Sequence, residues 1–212
     1  MMIALLLKDF FILKKQLITL LFITAFFAFM GIFTDFGMFF VLFIMFIGSS
    51  LVISVLGYEE MSNWGQFGNT LPISRNTIIA SKYVFGILLS IGCLIIITPI
   101  VWISNYYEPV FSMPTLYVVL CLVLTVTFVF LSVLLPIFIK FGPNKGRLLM
   151  FAIYFIPTFL VTTLNEKVDF QSFLSMNWDT IKILGYTSPI FGFVLLSISY
   201  LLSTQIYKRK EF

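Results

Sequence analysis

The side chains best suited to chemistry lie in one polar connection, residues 58–82. Five of its side chains stand out, two adjacent carboxylates, an indole and a phenyl ring, and a guanidinium: Glu59, Glu60, Trp64, Phe67 and Arg75. Carboxylates and guanidinium groups form charge-assisted hydrogen bonds, and aromatic side chains are common anchors in protein interfaces. The pattern fits a docking surface and an ordinary solvated loop equally well.

Groups for catalysis or metal binding are scarce elsewhere. The chain has no His, and its two cysteines, Cys93 and Cys121, fall in apolar stretches where a thiol acts as a small apolar side chain. The basic loop 140–147 is predicted to form a turn at Gly142–Pro143 and Asn144, and its spacing does not match the phosphate-binding G-x-x-x-x-G-K-[ST] pattern. We therefore expect no catalytic residue, metal site or bound cofactor in this chain.

Six uncharged stretches account for most of the sequence. They cover residues 17–34, 38–57, 83–104, 115–139, 148–164 and 183–207. Each is near or above the roughly 17 to 25 residues that cross a bilayer as a helix, and helices satisfy their own backbone hydrogen bonds in lipid. With 60% hydrophobic residues and a mean hydropathy of +1.09, the sequence predicts an all-α polytopic membrane protein. It would be one transmembrane domain over residues 1–212, with six transmembrane helices and no charge in its core.

Basic residues indicate the orientation. If the six stretches alternate across the membrane, 11 of the 13 Lys and Arg side chains lie on the side that holds both termini. Cytoplasmic loops carry an excess of such residues, so both termini are predicted to be cytoplasmic. The net charge of +4 is thus a topology signal and gives no reason to expect nucleic-acid binding.

The N-terminal segment has two helical faces. One face is apolar, with Ile3, Leu6, Leu7, Phe10 and Leu13, and the other is polar, with Lys8, Asp9, Lys15 and Gln16. This pattern predicts an amphipathic helix over residues 3–15, lying on the inner leaflet. One long tilted helix over residues 3–34 is the alternative. In the connection 58–82, Pro72 and Ser74 predict a short helix, a break and a second helix capped by Ser74.

Two aromatic segments suggest further roles. Phe36, Phe39, Phe40 and Phe43 form a stripe at helical spacing. It could line a path for an apolar substrate, although contact with lipid or a neighbouring helix is the commoner role of such a stripe. The outer connection 165–182 mixes aromatic and polar residues, which suits a helix at the outer interface.

Segments along nearly the whole chain, in order, resemble ABC-2 type exporter permeases. They are Leu5–Phe10 with Lys14–Gln16, Tyr58–Glu60 with Trp64, Leu71–Arg75, Ser81–Tyr83, the loop Lys140–Arg147 and the tail Tyr207–Phe212. The sequence is most similar to small permeases of bacterial exporters for phenol-soluble modulins and related antimicrobial peptides. A location in the bacterial cell membrane follows from this resemblance.

The resemblance implies that ATP binding and substrate passage are carried out by separate subunits. A separate ABC ATPase would bind ATP and Mg and dock on the cytoplasmic face, and two permease chains, identical or homologous, would form the pathway. The segment from Glu59 to Arg75 would be the coupling helix and residues 3–15 the elbow helix. In that role Glu59 and Glu60 would make charged contacts to the ATPase, with Trp64 and Phe67 as apolar anchors. Arg75 would tie the loop to the membrane surface or the partner.

The uncharged spans bear on substrate and energy source. Ion-coupled carriers usually need titratable groups in the membrane, which argues against that class, although backbone carbonyls at broken helices can also bind sodium. Amphipathic peptides are the expected cargo, with lipids and other hydrophobic compounds next. A non-transporting scaffold or immunity protein that sequesters a peptide is the alternative from another functional class.

Overall fold

The computed structural model describes residues 1–33, 37–107, 113–164 and 178–209. These ranges form six helices: α1 (Met2–Phe33), α2 (Gly37–Met61), α3 (Trp64–Thr70), α4 (Arg75–Tyr107), α5 (Met113–Leu164) and α6 (Trp178–Lys208). No strand occurs in the described ranges, so the all-α prediction is confirmed for this part of the chain.

Four of the predicted spans overlap helical stretches that are long and apolar enough to cross a membrane. They are Met2–Phe27, Arg75–Ile103, Pro114–Pro143 and Lys182–Lys208. Residues 38–57 and 148–164 are also helical, within α2 and the second half of α5. The full count of six transmembrane helices stays a prediction.

Two sequence-based hypotheses concern parts of the chain outside the described residues. For the aromatic stripe, this applies to Phe36 and to the side chains of Phe39, Phe40 and Phe43. For the outer connection, it applies to residues 165–177. Both hypotheses therefore stay predictions.

Helix α1 runs without interruption through both the predicted interfacial helix and the first span. The expected boundary near residue 15 is absent, because no Pro or Gly breaks the helix before Gly31. The orientation of its faces also differs from the prediction. Ile3 and Leu7 are exposed, whereas Asp9 is fully buried against the other helices. The alternative of one long helix therefore describes this segment.

Helix α5 contains a sharp break at Gly142, where φ is +75° and ψ is 167°. Only glycine adopts this conformation without strain. A Cβ added at Gly146 would lie 2.9 Å from the Phe138 ring, eight residues earlier. Eight residues of unbroken helix span about 12 Å, so the chain bends strongly here. The turn predicted at residues 140–147 is thus located at Gly142.

Small residues allow the helices to approach closely, as is usual where lipid surrounds them. A Cβ at Gly48 would lie 2.3 Å from Cys93 Sγ, and one at Gly185 would lie 2.4 Å from Val118. These two contacts join α2 to α4 and α6 to α5. In contrast, large side chains such as Phe22 and Ile190 are exposed. Lipid tails are the natural environment for such apolar outer surfaces.

Candidate functional site: the charged end of the helical bundle

The predicted cytoplasmic segments meet at one end of the bundle. The first turns of α1, the end of α2, the start of α4, the break in α5 and the end of α6 are joined there by side-chain contacts. Alternating spans would produce this arrangement, because every second connection then falls on the same side. The short helix α3 lies at this end, between α2 and α4.

Four charged side chains form an ion cluster inside this end. Lys82 Nζ lies 2.9 Å from both carboxylate oxygens of Asp9 and also donates to Glu59 Oε1. Lys8 Nζ lies 3.2 Å from Asp9 Oδ1 and pairs with Glu59 as well. The cluster therefore joins α1, α2 and α4 and has two positive and two negative charges.

The ion cluster corrects the expectation that the core carries no charge. Asp9 is 0% exposed, Lys82 is 2% exposed and Glu59 is 9% exposed. These residues flank the predicted spans, where a polar end is compatible with the membrane boundary. Burying one charge alone costs several kcal/mol, so this arrangement depends on the balance of opposite charges.

Helix α3 is separated from its neighbours by two changes of backbone direction. Asn63 before it is left-handed, with φ of 51° and ψ of 30°, and Leu71 after it is extended. Ser74 then caps α4, since its Oγ accepts a hydrogen bond from Thr77 N at 3.2 Å. The prediction of a short helix, a break and a Ser74-capped second helix is confirmed.

Trp64 fixes the start of α3 against the ion cluster. Lys8 Nζ lies 4.0 Å from the centroid of the Trp64 ring, in a cation–π contact. The ring also packs on Phe67 with centroids 5.4 Å apart. A Cβ at Gly68 would lie only 3.3 Å from the indole nitrogen, so this glycine leaves room for the ring. Gly68, a weak helix former, thus has a packing role in this helix.

Glu60 is not part of the ion cluster and lies over the break in α5. A Cβ at Gly142 would lie 3.0 Å from Glu60 Oε1 and 3.1 Å from Oε2. Glu60 itself is exposed, unlike its neighbour Glu59. Among the described residues, its carboxylate has no cation within salt-bridge distance.

A cavity of about 350 Å³ lies between α3 and the rest of the bundle. Its lining is partly apolar and partly charged: Leu56, Glu59, Glu60, Asn63, Trp64, Gly65, Gln66, Ile78, Ile79, Lys82, Phe138, Ile139, Gly142, Pro143 and Tyr207. Three of the five predicted coupling residues, Glu59, Glu60 and Trp64, therefore line one cavity.

The other two predicted coupling residues lie elsewhere. Phe67 is 57% exposed on α3 and touches the cavity residue Trp64. Arg75 Nη1 donates a 2.8 Å hydrogen bond to the backbone oxygen of Lys208, which ties the start of α4 to the end of α6. Its observed contact is thus within the chain.

Sequence reasoning did not identify Lys8, Asp9 and Lys82 as parts of this site. The sequence pattern assigns each of them to its own segment, as a surface charge or a topology signal. The available signal was the placement of opposite charges beside three predicted spans on the same side of the membrane. Such charges fall at the same level of a helical bundle and can pair there.

A second polar cluster links the helices deeper in the bundle. The Tyr83 hydroxyl lies 2.7 Å from both Ser199 Oγ and Ser203 Oγ. Ser199 Oγ also donates to the backbone oxygen of Ser132. Hydrogen bonds therefore connect α4, α5 and α6 around Tyr83, the residue that follows Lys82 in the chain.

Comparison with known proteins identifies the family. The family described as ABC-2 family transporter protein matches residues 4–208, nearly the whole chain. No curated protein and no solved structure matches the chain. Members of this family are membrane components of ABC transporters that typically work with an ABC ATPase and are not themselves catalytic. The chain therefore belongs to the ABC-2 transporter family and is a membrane subunit of an ABC transporter.

Proposed function

We propose that this protein is the permease subunit of an ATP-driven exporter and that α3 is its coupling helix. The observation that carries the proposal is the position of α3. It is a separate helix at the end of the bundle where the predicted cytoplasmic segments meet, and it presents the exposed ring of Phe67. An exposed aromatic side chain on a rigid helix is a typical anchor for a partner protein.

In this proposal, the ATPase is a separate subunit that binds ATP and Mg, and this chain transmits its movement. Asp9, Glu59 and Lys82 connect α1, α2 and α4 just behind α3. A displacement of α3 would therefore reach three helices at once. The pathway would lie between this chain and a second permease, identical or homologous.

The coupling residues take different roles in this arrangement. Phe67 and Glu60 are exposed and can contact the ATPase directly. Glu59 is buried in the ion cluster and Trp64 packs behind Phe67, so both position α3. Arg75 holds the start of α4 to the end of α6.

The proposed cargo is an amphipathic peptide or another hydrophobic compound. Support comes from the uncharged spans and from the apolar side chains exposed on the outer surface, which favour a substrate that enters from the bilayer. The stripe of Phe36, Phe39, Phe40 and Phe43 is the proposed lining of the path. The excess of basic residues supports a cytoplasmic location for α3 and both termini. The resemblance of the sequence to bacterial exporter permeases supports a location in a bacterial cell membrane.

The test is co-purification of the tagged chain from native membranes in a mild detergent, with ATPase activity assayed in the eluate. We expect an ABC ATPase to co-purify and Phe67→Ala to reduce its recovery at least several-fold. Phe22→Ala, which truncates a 74% exposed ring on α1, is the matched control and should retain the ATPase. A wild-type chain that binds the peptide but recovers no ATPase would instead support the scaffold or immunity role.

Export itself needs a second measurement. The permease and its ATPase would be reconstituted in proteoliposomes with the ATPase outside, and a labelled amphipathic peptide added to the outer solution. We expect ATP-dependent accumulation inside the vesicles, because that direction corresponds to export from the cell. Accumulation driven by a proton or sodium gradient without ATP would contradict the proposal and support an ion-coupled carrier.

A further inference from the structure

We propose that the cavity behind α3 receives a cationic side chain, Arg or Lys, from the ATPase subunit. This inference rests on the proposed function and adds a second contact to it. The partner would then hold α3 from two sides, with Phe67 outside and the inserted cation behind. The cavity, its charge and its position each support this occupant.

The buried part of the cavity lining is apolar apart from the paired charges of Glu59 and Lys82, and the mouth is polar. The buried apolar residues are Ile78, Ile79 and Phe138, whereas Asn63 and Gln66 are exposed at the mouth. Its volume of about 350 Å³ is at the lower end of the range for ligand pockets, about 300–1,000 Å³. A long side chain fits such a space better than a folded segment does.

The charge of the cavity is complementary to a single cation. The ion cluster of Lys8, Asp9, Glu59 and Lys82 is balanced, so it contributes no net charge. Glu60 adds one negative charge at the cavity wall, and it has no ion-pair partner among the described residues. Among the side chains that the structure describes around the cavity, one negative charge is therefore uncompensated.

Arg and Lys match both properties of the cavity. Each has an apolar stem that can pack along apolar walls and a cationic end that can reach a carboxylate. Gly142 contributes to the site because it leaves the space that the Glu60 carboxylate occupies. The position of the mouth beside α3 favours the ATPase as the source, because the same partner is proposed to bind the outer face of α3.

The first experiment measures the affinity of the ATPase for the permease in nanodiscs at two salt concentrations. Charge pairs in close contact at interfaces couple by about 1.5 kcal/mol or more, which corresponds to at least about a tenfold change in Kd. We expect Glu60→Gln to weaken binding about tenfold and to reduce its salt dependence, and Glu60→Lys to weaken it further. Asn76→Lys is the matched control, because Asn76 is exposed at the same end outside the cavity lining. It should change Kd less than twofold.

The second experiment identifies the source of the cation. Each Arg and Lys on the permease-facing surface of the ATPase would be changed to Glu and combined with Glu60→Lys. We expect one such exchange to restore binding to within about threefold of the wild type. The inference is wrong if no exchange restores binding and a lipid amine occupies the cavity. Native mass spectrometry would show the lipid as phosphatidylethanolamine that the wild type retains and Glu60→Gln does not.

The possible failures can be told apart. If the wild-type chain binds no ATPase, the proposed function fails and the inference with it. If the ATPase binds and Phe67→Ala weakens it, but Glu60→Gln and Glu60→Lys bind as tightly as the wild type, only the cavity inference fails. Unchanged thermal unfolding of both Glu60 variants would show that the fold is intact.

Discussion

Replacement of Lys82 by Met tests whether the ion cluster holds this end of the bundle together. The ammonium group makes contacts with both oxygens of Asp9 and with Glu59, at a site where Lys82 is 2% exposed. Met has a similar length and no charge, so the substitution removes the cation with little change in packing. It leaves two buried carboxylates with Lys8 as their remaining partner in the cluster.

The expected change in the free energy of unfolding follows from the loss of one of the two positive charges in the ion cluster. Removing one partner of a buried ion pair costs about 3–5 kcal/mol, and Lys8 offsets part of that because it contacts both carboxylates. We expect the free energy of unfolding of Lys82→Met to fall by about 3 kcal/mol. The double variant Asp9→Asn/Lys82→Met retains the neutral pair of Lys8 and Glu59, so we expect it to lose only about 1–2 kcal/mol.

The assay is reversible unfolding in mixed micelles titrated with sodium dodecyl sulfate, followed by circular dichroism. Lys15→Met is the matched control, because Lys15 is exposed on α1, and it should lie within about 0.5 kcal/mol of the wild type. A Lys82→Met variant as stable as this control would refute the reasoning. So would a double variant that loses the full sum of the two single losses, because the charges would then not be coupled.

Two further substitutions test other parts of the fold by the same assay. Gly142→Ala should destabilise by about 1–3 kcal/mol, because it strains the backbone at φ +75° and places a Cβ against the Glu60 carboxylate. Gly92→Ala, where a Cβ meets nothing within 4 Å, should be neutral or stabilising by up to about 1 kcal/mol; equal losses at both sites would contradict this. Tyr83→Phe loses two serine contacts and should cost about 0.5–2 kcal/mol, whereas exposed Tyr117→Phe should cost less than about 0.5 kcal/mol. A Tyr83→Phe variant as stable as Tyr117→Phe would show that these hydrogen bonds do not contribute.

The elements predicted well are those that depend on local signals. The length of an apolar stretch predicts a long helix, Ser74 predicts a cap, and Gly142 beside Pro143 predicts a break. Each of these effects acts within a few residues, so one sequence contains the information. Helix α1 shows the limit, because its amphipathic pattern suggested a boundary that no residue there enforces.

The ion cluster could not be predicted in this way. A helical pattern shows which residues of α1 share a face, but the neighbours of that face are determined by packing among distant segments. Asp9 and Lys82 are 73 positions apart in the chain and 2.9 Å apart in space. The helical pattern therefore places the polar face of α1 in water, whereas Asp9 on that face binds Lys82 of α4 inside the protein.

The two adjacent glutamates have different roles, which the Glu-Glu pair in the sequence does not distinguish. Consecutive residues on an α-helix point about 100° apart, so Glu59 and Glu60 at the end of α2 contact different neighbours although both line the cavity. Glu59 turns inward and completes the ion cluster, whereas Glu60 turns outward over Gly142 and leaves one charge at the cavity wall. Replacing each carboxylate by its amide therefore tests a different property, stability for Glu59 and binding of the ATPase for Glu60. We expect Glu59→Gln to lower the free energy of unfolding, because it leaves Lys8 and Lys82 with one carboxylate between them. Glu60→Gln should leave the free energy of unfolding unchanged and weaken binding of the ATPase.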